Sequence, residues 1–583
     1  MPDRSDAIVV GLGAAGAIMA DRLTAAGMRV LALDKGDNHL DRELWSTHDE
    51  LRMYVRGDML PTMRTDPLTW RADHTTSARV LPWAGTLYPH ADPHHLPPSL
   101  GTGGGTVHWT GASWRFREAD FRMRSTVRER YGASALPTDT DVVDWPLSYA
   151  DLEPYYDLVE HELGVSGAAG NIRGRTQPGG NPFEAPRQGD YPMPPLRRAA
   201  ADRLFVEAAT RLGYHPFPQP AGIASVPFRG RPACTYCGFC HGYPCHTGAK
   251  SSSLVSSLPA ALATGRLDIR TGCRVTRVRM DRQGRRIAGV DYLDESGRGR
   301  VADAQLVLLA CYTLENTRLL FLSGIHCGGL VGRWFMTHNY GRLTGTLSEP
   351  TNGFMGAQAA ASVFDDVTSE LIPDNPEGAL WGSPVISVPG DFQPIEAAHM
   401  RPATVPRHGW PLKEWLRDNF SRLFAICSQT ANLPGAAGWC DLDPQVRDPA
   451  GLPALRITHR WTAADLAAAA FMMRIKRKVA DEMGWVERWE DDLSPRYHVS
   501  NHDAGTYRMG EDPHASVVDP YGELHTCRGL YVLGGGQFPT FGSYNPTETI
   551  QALSYRTADH ITGSPAPTSP VVAKSTNANG GPP

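Results

Sequence analysis

The chain has 583 residues, of which 41% are hydrophobic and 20% charged, and a formal net charge of -5. That length exceeds one compact core and points to roughly two to four globular domains. The charge excludes a global basic field for nucleic acid or anionic lipid, and no apolar run is long enough to span a bilayer. The start, Met1-Pro2-Asp3-Arg4-Ser5-Asp6, enters an apolar run directly and leaves no room for a signal peptide. A cytoplasmic location is the expectation, or a periplasmic one if the chain is exported with a partner.

In chain order, the pattern predicts a βαβ opening: a strand over 7–10, a helix over 17–26 stopped by Gly27, and a strand over 29–34. Residues 70–105, rich in Pro, Gly and His, read as an extended loop lying against a ligand or partner. Residues 171–195 are irregular, and a helix follows over 197–212. A strand pair is expected over 267–280 and 286–293, then a buried strand over 306–311. Residues 342–489 mix strand-like alternation with Pro/Gly loops and end in an alanine-rich helix over 463–483. A helix closes the stretch 498–561, and beyond Gly563 the composition predicts a disordered tail.

The glycines of Gly11-Leu12-Gly13-Ala14-Ala15-Gly16 permit a tight turn, a close approach to a pyrophosphate and close helix–strand packing. The following helix N-terminus faces the phosphates. Asp34 ends the next strand, where a carboxylate accepts hydrogen bonds from an adenosine ribose, and Lys35 adjoins it. This points to FAD or NAD without choosing between them. Asn545-Pro546 reads as a helix start, with Asn as N-cap and Pro at the first helical position. Such a helix would present its positive end to an anionic group.

Cys234, Cys237, Cys240 and Cys245 crowd into one segment at spacings x2, x2 and x4. Thiolates so placed bind an iron–sulfur cluster or zinc, with His241 and His246 as substitute zinc ligands. Structural cysteines, or disulfides in an exported chain, are the alternatives. The run of x2 intervals lies closer to the iron–sulfur pattern.

The sequence resembles the glucose–methanol–choline (GMC) oxidoreductases. The matching segments are the N-terminal fingerprint, Gly103-Gly104-Gly105-Thr106-Val107-His108-Trp109-Thr110, the run from Leu309 through Asn316 to Leu320, Val331-Gly332-Arg333-Trp334-Phe335-Met336-Thr337-His338, and the C-terminal block from His502 to Ile550. The resemblance implies an α/β fold. A discontinuous Rossmann-like FAD domain (1–45, 80–130, 195–340, 495–562) would join an α+β substrate domain with an antiparallel sheet (46–79, 131–194, 341–494). It implies flavin contacts at Gly103, Gly104, Thr106, His108, Trp109, Thr110, Gly535, Asn545, Pro546 and Thr547.

The glycine-His108 segment and Leu533-Gly534-Gly535-Gly536 resemble pyranose oxidases, in which the histidine carries flavin covalently. Val107 stands where Thr is usual, so His108 either bonds the flavin or only packs on it. The cysteine segment resembles bacterial gluconate, fructose and glucoside dehydrogenase flavoproteins. There the resemblance implies an iron–sulfur cluster, a small subunit and a cytochrome acceptor.

By the same resemblance, His502 in His-x-x-Gly-Thr is the catalytic base and Asn545 its partner, with His498 in support. An imidazole with a pKa near working pH suits removal of a hydroxyl proton as hydride leaves for flavin N5. Trp109 and Phe541 are either sugar-stacking or core aromatics. The expected reaction oxidises a sugar or glycoside hydroxyl to a ketone or lactone, with electrons passed to a non-NAD acceptor. An oxidase using O2 and a non-redox lyase that retains FAD are the alternatives.

Overall fold

A computed structural model describes residues 5–40, 48–51, 66–81, 94–95, 101–368, 385–387, 393–490 and 498–568. Its centre is a parallel sheet in the order Leu530–Val532, Val307–Leu309, Ala7–Val10, Val30–Leu33, Leu267–Arg270. Alternate residues feed two separate cores. Ile8, Val10, Leu31, Leu33, Val307 and Leu309 enter one, while Ala7, Val9, Val30, Ala32 and Leu308 enter the other. A sheet buried on both faces needs apolar side chains at every position, which is why these strands read as unbroken hydrophobic runs.

The first helix spans Ala14–Ala25 and starts three residues earlier than the apolar spacing suggests. Gly13 is its N-cap and accepts from the Ala17 amide at 3.1 Å, so the fingerprint glycines themselves form the first turn. The expected strand over 267–280 is two strands in different sheets. Leu267–Arg270 ends the parallel sheet, Gly272 turns the chain at φ +62°, and Arg274–Met280 opens a three-stranded antiparallel sheet with Ile287–Leu293 and Gly299–Asp303.

A six-stranded antiparallel sheet runs Glu487–Glu490, Asn339–Thr346, Leu423–Thr430, Val385–Ser387, Ser362–Phe364, Phe217–Pro218. The helix Ala463–Glu482 covers one face through Ala468, Met472, Ile475 and Val479, and its N-terminus is closed by a Thr462–Asp465 capping box. The region expected to be an extended loop contains strands Leu68–Arg71 and Arg79–Val80, which complete a four-stranded sheet with Gly438–Arg447 and Pro453–His459. The rest of that loop, 82–93 and 96–100, and the tail from 569 lie outside the described residues.

Beneath the junction of these layers lies a buried ionic cluster. Arg115 donates to both carboxylate oxygens of Glu160 at 2.7 and 2.8 Å, and Arg187 donates to the same carboxylate. Glu153 and Glu184 take further guanidinium hydrogens at 3.2 and 3.1 Å. Arg115 follows Trp114, and burial with the nearby Glu160 charge pushes Glu548, in the first turn of the helix Thr547–Thr562, up to about 8. The cluster therefore braces two segments that carry site residues. Removing one partner strands buried charge, at a cost of about 3–5 kcal/mol. Glu160→Gln should lower the apparent melting temperature by far more than a surface exchange such as Glu129→Gln, and equal thermal melts would refute the bracing role.

Candidate active site

Two short strands, Met336–Thr337 and Asp503–Ala504, pair antiparallel with Thr337 opposite Asp503. That register continues to bring His338 beside His502, whose Nδ1 atoms lie 2.9 Å apart. The next strand pairs Tyr340 with Gln429. Tyr340 Oη lies 2.6 Å from His502 Nδ1, while Gln429 Nε2 donates to Asn545 Oδ1 at 3.3 Å. One antiparallel register thus supports both residues singled out as a catalytic pair, and Asn545 Nδ2 meets His502 Nε2 at 3.1 Å.

The turn after His502 is forced into place. Gly505 and Thr506 both have positive φ, +75° and +73°, and a Cβ on Gly505 would come within 1.9 Å of the Trp334 carbonyl. A β-branched residue at such a φ is held only by its surroundings. The Thr506 amide donates to Arg333 O at 2.8 Å and its carbonyl accepts from Gly332 at 2.7 Å.

Donor and acceptor logic fixes the protons. Gly542 C=O can only accept, so His338 Nε2, 2.7 Å away, carries the hydrogen and leaves its Nδ1 as an acceptor. His502 therefore donates from Nδ1–H, with His338 Nδ1 and Tyr340 Oη sharing that hydrogen as acceptors. From the other side, Trp114 Nε1–H at 3.0 Å and Gln429 both donate to Asn545 Oδ1, which orients the amide. Asn545 Nδ2 then donates to His502 Nε2. His502 is neutral with its lone pair on Nε2, the protonation state a general base requires.

Electrostatics agrees. Burial pushes His338 down to about 3, and burial with the neighbouring His338 pushes His502 well below the ordinary imidazole value. Phe541 stacks on His338 with centroids 4.0 Å apart and planes 5° from parallel, fixing that ring. Phe541 is buried by this contact, so it takes the core role and not that of a sugar platform. Asp503 is pushed up to about 7 by burial, opposed by hydrogen bonds from Tyr312 and Thr337.

Asn545 is not an N-cap. The helix Thr547–Thr562 has Pro546, whose side chain has no acceptor, at its cap position, and the Asn545 amide is engaged instead by Trp114, Gln429 and His502. Sequence reasoning missed Trp114, Tyr340 and Gln429 altogether, since each lies in an ordinary strand or loop context. His338 stood at the end of a quoted motif without a role. The backbone of His498 pairs with that of His94, and nothing is described of its side chain.

The glycine segments meet across the nucleotide turn. Gly11 has φ +86°, and a Cβ on Gly16 would lie 1.9 Å from Gly11 O. Gly103 N donates to Leu12 O at 3.0 Å, and Gly104 packs so closely that a Cβ would stand 2.8 Å from Gly13 Cα. Thr106 Oγ1 donates to Gly103 O at 2.6 Å. Asp34 accepts from the amides of Leu12 and Gly36 at 2.9 and 3.0 Å, whereas Lys35 is held by Asp66 at 2.5 Å. Ala14 and Ala15 lie in the first helical turn, Thr110 Oγ1 accepts from the Ala112 amide at 3.3 Å, and Gly535 sits against Asp503 O.

GMC oxidoreductase family models match residues 193–340 and 434–554. The chain is 32% identical over 582 residues to the gluconate 2-dehydrogenase flavoprotein of Pantoea cypripedii, covering 95% of this chain and 93% of that one. The chain belongs to the GMC oxidoreductase family. It is also 31% identical to paromamine 6'-oxidase of Streptomyces fradiae (96% and 91% covered) and 26% identical to the fructose dehydrogenase large subunit of Gluconobacter japonicus (96% and 97%). The fold matches a crystal structure of pyridoxine 4-oxidase from "Mesorbium loti" with a TM-score of 0.61 at 17% identity, covering 95% of this chain and 98% of that one.

The protein is accordingly an oxidoreductase acting on CH–OH donors, from a family that binds FAD. The residues present fit FAD: the glycines of the two segments let backbone meet backbone across the turn, and among the described residues the buried His108 Nε2 has no hydrogen-bond partner. Burial, then the Lys250 charge, push His108 down to about 3, so this GMC histidine is neutral. Trp109 donates from Nε1 to Ser251 O at 2.8 Å, which fixes its ring. Among the described residues no helix is long and apolar enough to cross a membrane.

The cysteine segment is corrected in part. All of its cysteines are free thiols, which removes the disulfide reading. Among the described residues no three cysteine thiols lie close enough to share one metal ion, and the family matches add no support for an iron–sulfur cluster. Cys240 is buried beside Leu196 and Ile223, Cys245 packs with Met193 and Ala224, and Cys237 is exposed.

The neutral histidines have a thermodynamic consequence. Unfolded, each binds a proton near its ordinary value of about 6.5, whereas folded His338 waits until about 3. The unfolded state binds more protons between these values, so stability is lost as pH falls below about 6.5. Melting temperature should drop between about pH 7 and 5, and His338→Gln should make that slope shallower. An unchanged slope would mean that His338 titrates normally.

Proposed function

We propose that this enzyme oxidises a sugar or glycoside hydroxyl to a ketone or lactone, with His502 as the base and Asn545 as the orienting donor. The observation that carries this reading is the neutral His502, its Nε2 lone pair 3.1 Å from Asn545 Nδ2. A hydroxyl entering between them accepts from Asn545 Nδ2 and donates to His502 Nε2. Both of its hydrogen-bonding directions are then satisfied in one geometry. As His502 takes the proton, its Nδ1–H remains directed at His338 Nδ1, so the ring need not turn. Bound FAD supplies the hydride acceptor. Gly11, Gly13, Gly16, Asp34, Gly103, Gly104, Thr106, His108, Trp109, Gly535 and the start of the helix Thr547–Thr562 hold the flavin in this reading, and the antiparallel part of the chain selects the substrate.

Relatives named for gluconate, fructose and paromamine support a polyhydroxylated substrate. The gluconate and fructose dehydrogenases favour a non-NAD acceptor, reached through a small subunit and a cytochrome, with periplasmic export as part of that arrangement. The paromamine oxidase supports a second reading in which O2 is the acceptor. Anaerobic mixing with gluconate, fructose, glucosides and aminocyclitol glycosides tests the donor class. Bleaching of the flavin by at least one of them is expected, and bleaching only by non-sugar alcohols would refute it. Reoxidation by air or only by a dye then separates the two acceptors.

His502→Ala should slow flavin reduction about 100-fold or more with FAD still bound. Because its base form persists below the ordinary histidine value, the wild-type reduction rate should hold level as pH falls through about 6.5. A rate that halves there, or a variant as fast as wild type, would remove His502 from the role. Acid precipitation tests His108: yellow retained in the pellet and lost in His108→Ala would show a covalent flavin.

A further inference from the structure

One set of metal-ligating side chains takes no part in the proposed reaction. His48, Cys237 and His246 each offer one ligand atom, and the three atoms lie within 4.8 Å of one another. His48 comes from the separate segment 48–51, far away in sequence, so the grouping is made by the fold. Its ring is held on three sides. It stacks on Phe239 at 4.8 Å, His246 meets it edge-on at 4.5 Å, and its Nε2 lies 3.3 Å from the Pro244 carbonyl. A carbonyl only accepts, so Nε2 carries the hydrogen and Nδ1 keeps the lone pair. An outer carbonyl that fixes the tautomer in this way is the usual support of a metal-binding imidazole.

We propose that His48, Cys237 and His246 bind one Zn2+, with the fourth position open to water. One thiolate and two neutral imidazoles are donors that zinc takes in tetrahedral geometry. With Zn–S about 2.3 Å and Zn–N about 2.0–2.1 Å, tetrahedral ligand atoms stand roughly 3.4–3.6 Å apart. The three atoms lie within 4.8 Å of one another, so a closure of roughly an ångström at most is needed, a movement within the reach of side-chain rotation at exposed Cys237 and His246. Cys234 accepts from the Tyr236 amide at 3.3 Å and Cys245 from the Lys250 amide at 3.4 Å, and among the described residues neither thiol joins the three clustered ligand atoms.

The loop that carries the site grips the flavin-facing segment. Gly242 N donates to His108 O at 2.9 Å. The buried Lys250 ammonium donates to the carbonyls of Trp109, Cys240 and Tyr243 at 2.6, 2.6 and 2.8 Å. The metal is thus a structural clamp that ties segment 48–51 to the loop behind His108, whatever substrate the enzyme oxidises.

The test is metal analysis of the flavin-containing protein after chelation and reloading with zinc, combined with a zinc titration against a chromophoric chelator. We expect one zinc per chain, Cys237→Ser and His246→Gln to weaken binding at least tenfold, and Cys240→Ala to leave it unchanged. Cobalt in place of zinc should give a thiolate charge-transfer band that is absent in Cys237→Ser. Flavin absorbance and melting temperature report whether each variant is folded. Three results would overturn the proposal: no zinc taken up by the wild type, equal uptake by the folded variants, or iron with inorganic sulfide that is lost in Cys234→Ser or Cys245→Ser.

Discussion

The candidate site depends on one carbonyl that can do nothing but accept. Gly542 C=O takes the Nε2 hydrogen of His338, and every proton position between there and His502 Nε2 follows. The same turn provides Phe541, which stacks on His338, and leads through Ser543 and Tyr544 to Asn545. A single short segment therefore sets the tautomer of the base from behind and faces it with an amide from the front. Low local polarity strengthens the arrangement, since buried imidazoles with all partners satisfied have no reason to ionise near neutral pH.

Rigidity comes from the way the sheets meet. The short pairing of Met336–Thr337 with Asp503–Ala504 hands the chain directly to the strand Asn339–Thr346. There Tyr340 and Gln429 are cross-strand neighbours, and each touches a different member of the pair. A slip of one residue would turn both side chains to the opposite face. Behind Trp114 and the helix Thr547–Thr562, the Arg115–Glu160–Arg187 cluster has little freedom to shift, because any movement separates charges already removed from water.

The nucleotide side is built on an opposite principle, the absence of side chains. Gly13 and Gly104 come from segments far apart in sequence yet pack backbone to backbone. Their neighbours Leu12 and Gly103 exchange a hydrogen bond across the same contact. Asp34 fastens the turn through two backbone amides, a task that sequence reasoning assigned to a ribose alone.

The sequence by itself determined the parallel centre, the glycine turn and the alanine-rich helix. All of these rest on local signals: unbroken apolar runs, glycine spacing and helical periodicity. Only the tertiary structure decided how residues 267–280 divide between two sheets, because the division lies in what each half pairs with. It alone removed Asn545 from the cap of the helix Thr547–Thr562. The capping preference is local, but three partners from other strands and loops outcompete it. His338, Tyr340, Gln429 and Trp114 carry no local signal of their roles, which arise from strand register and from contacts across hundreds of residues. The cysteine spacing suggested one shared ligand set, whereas the fold gave each thiol its own surroundings and brought His48 from outside the segment to Cys237. Spacing along a loop limits which ligands can meet, and the path of the loop in space selects among them.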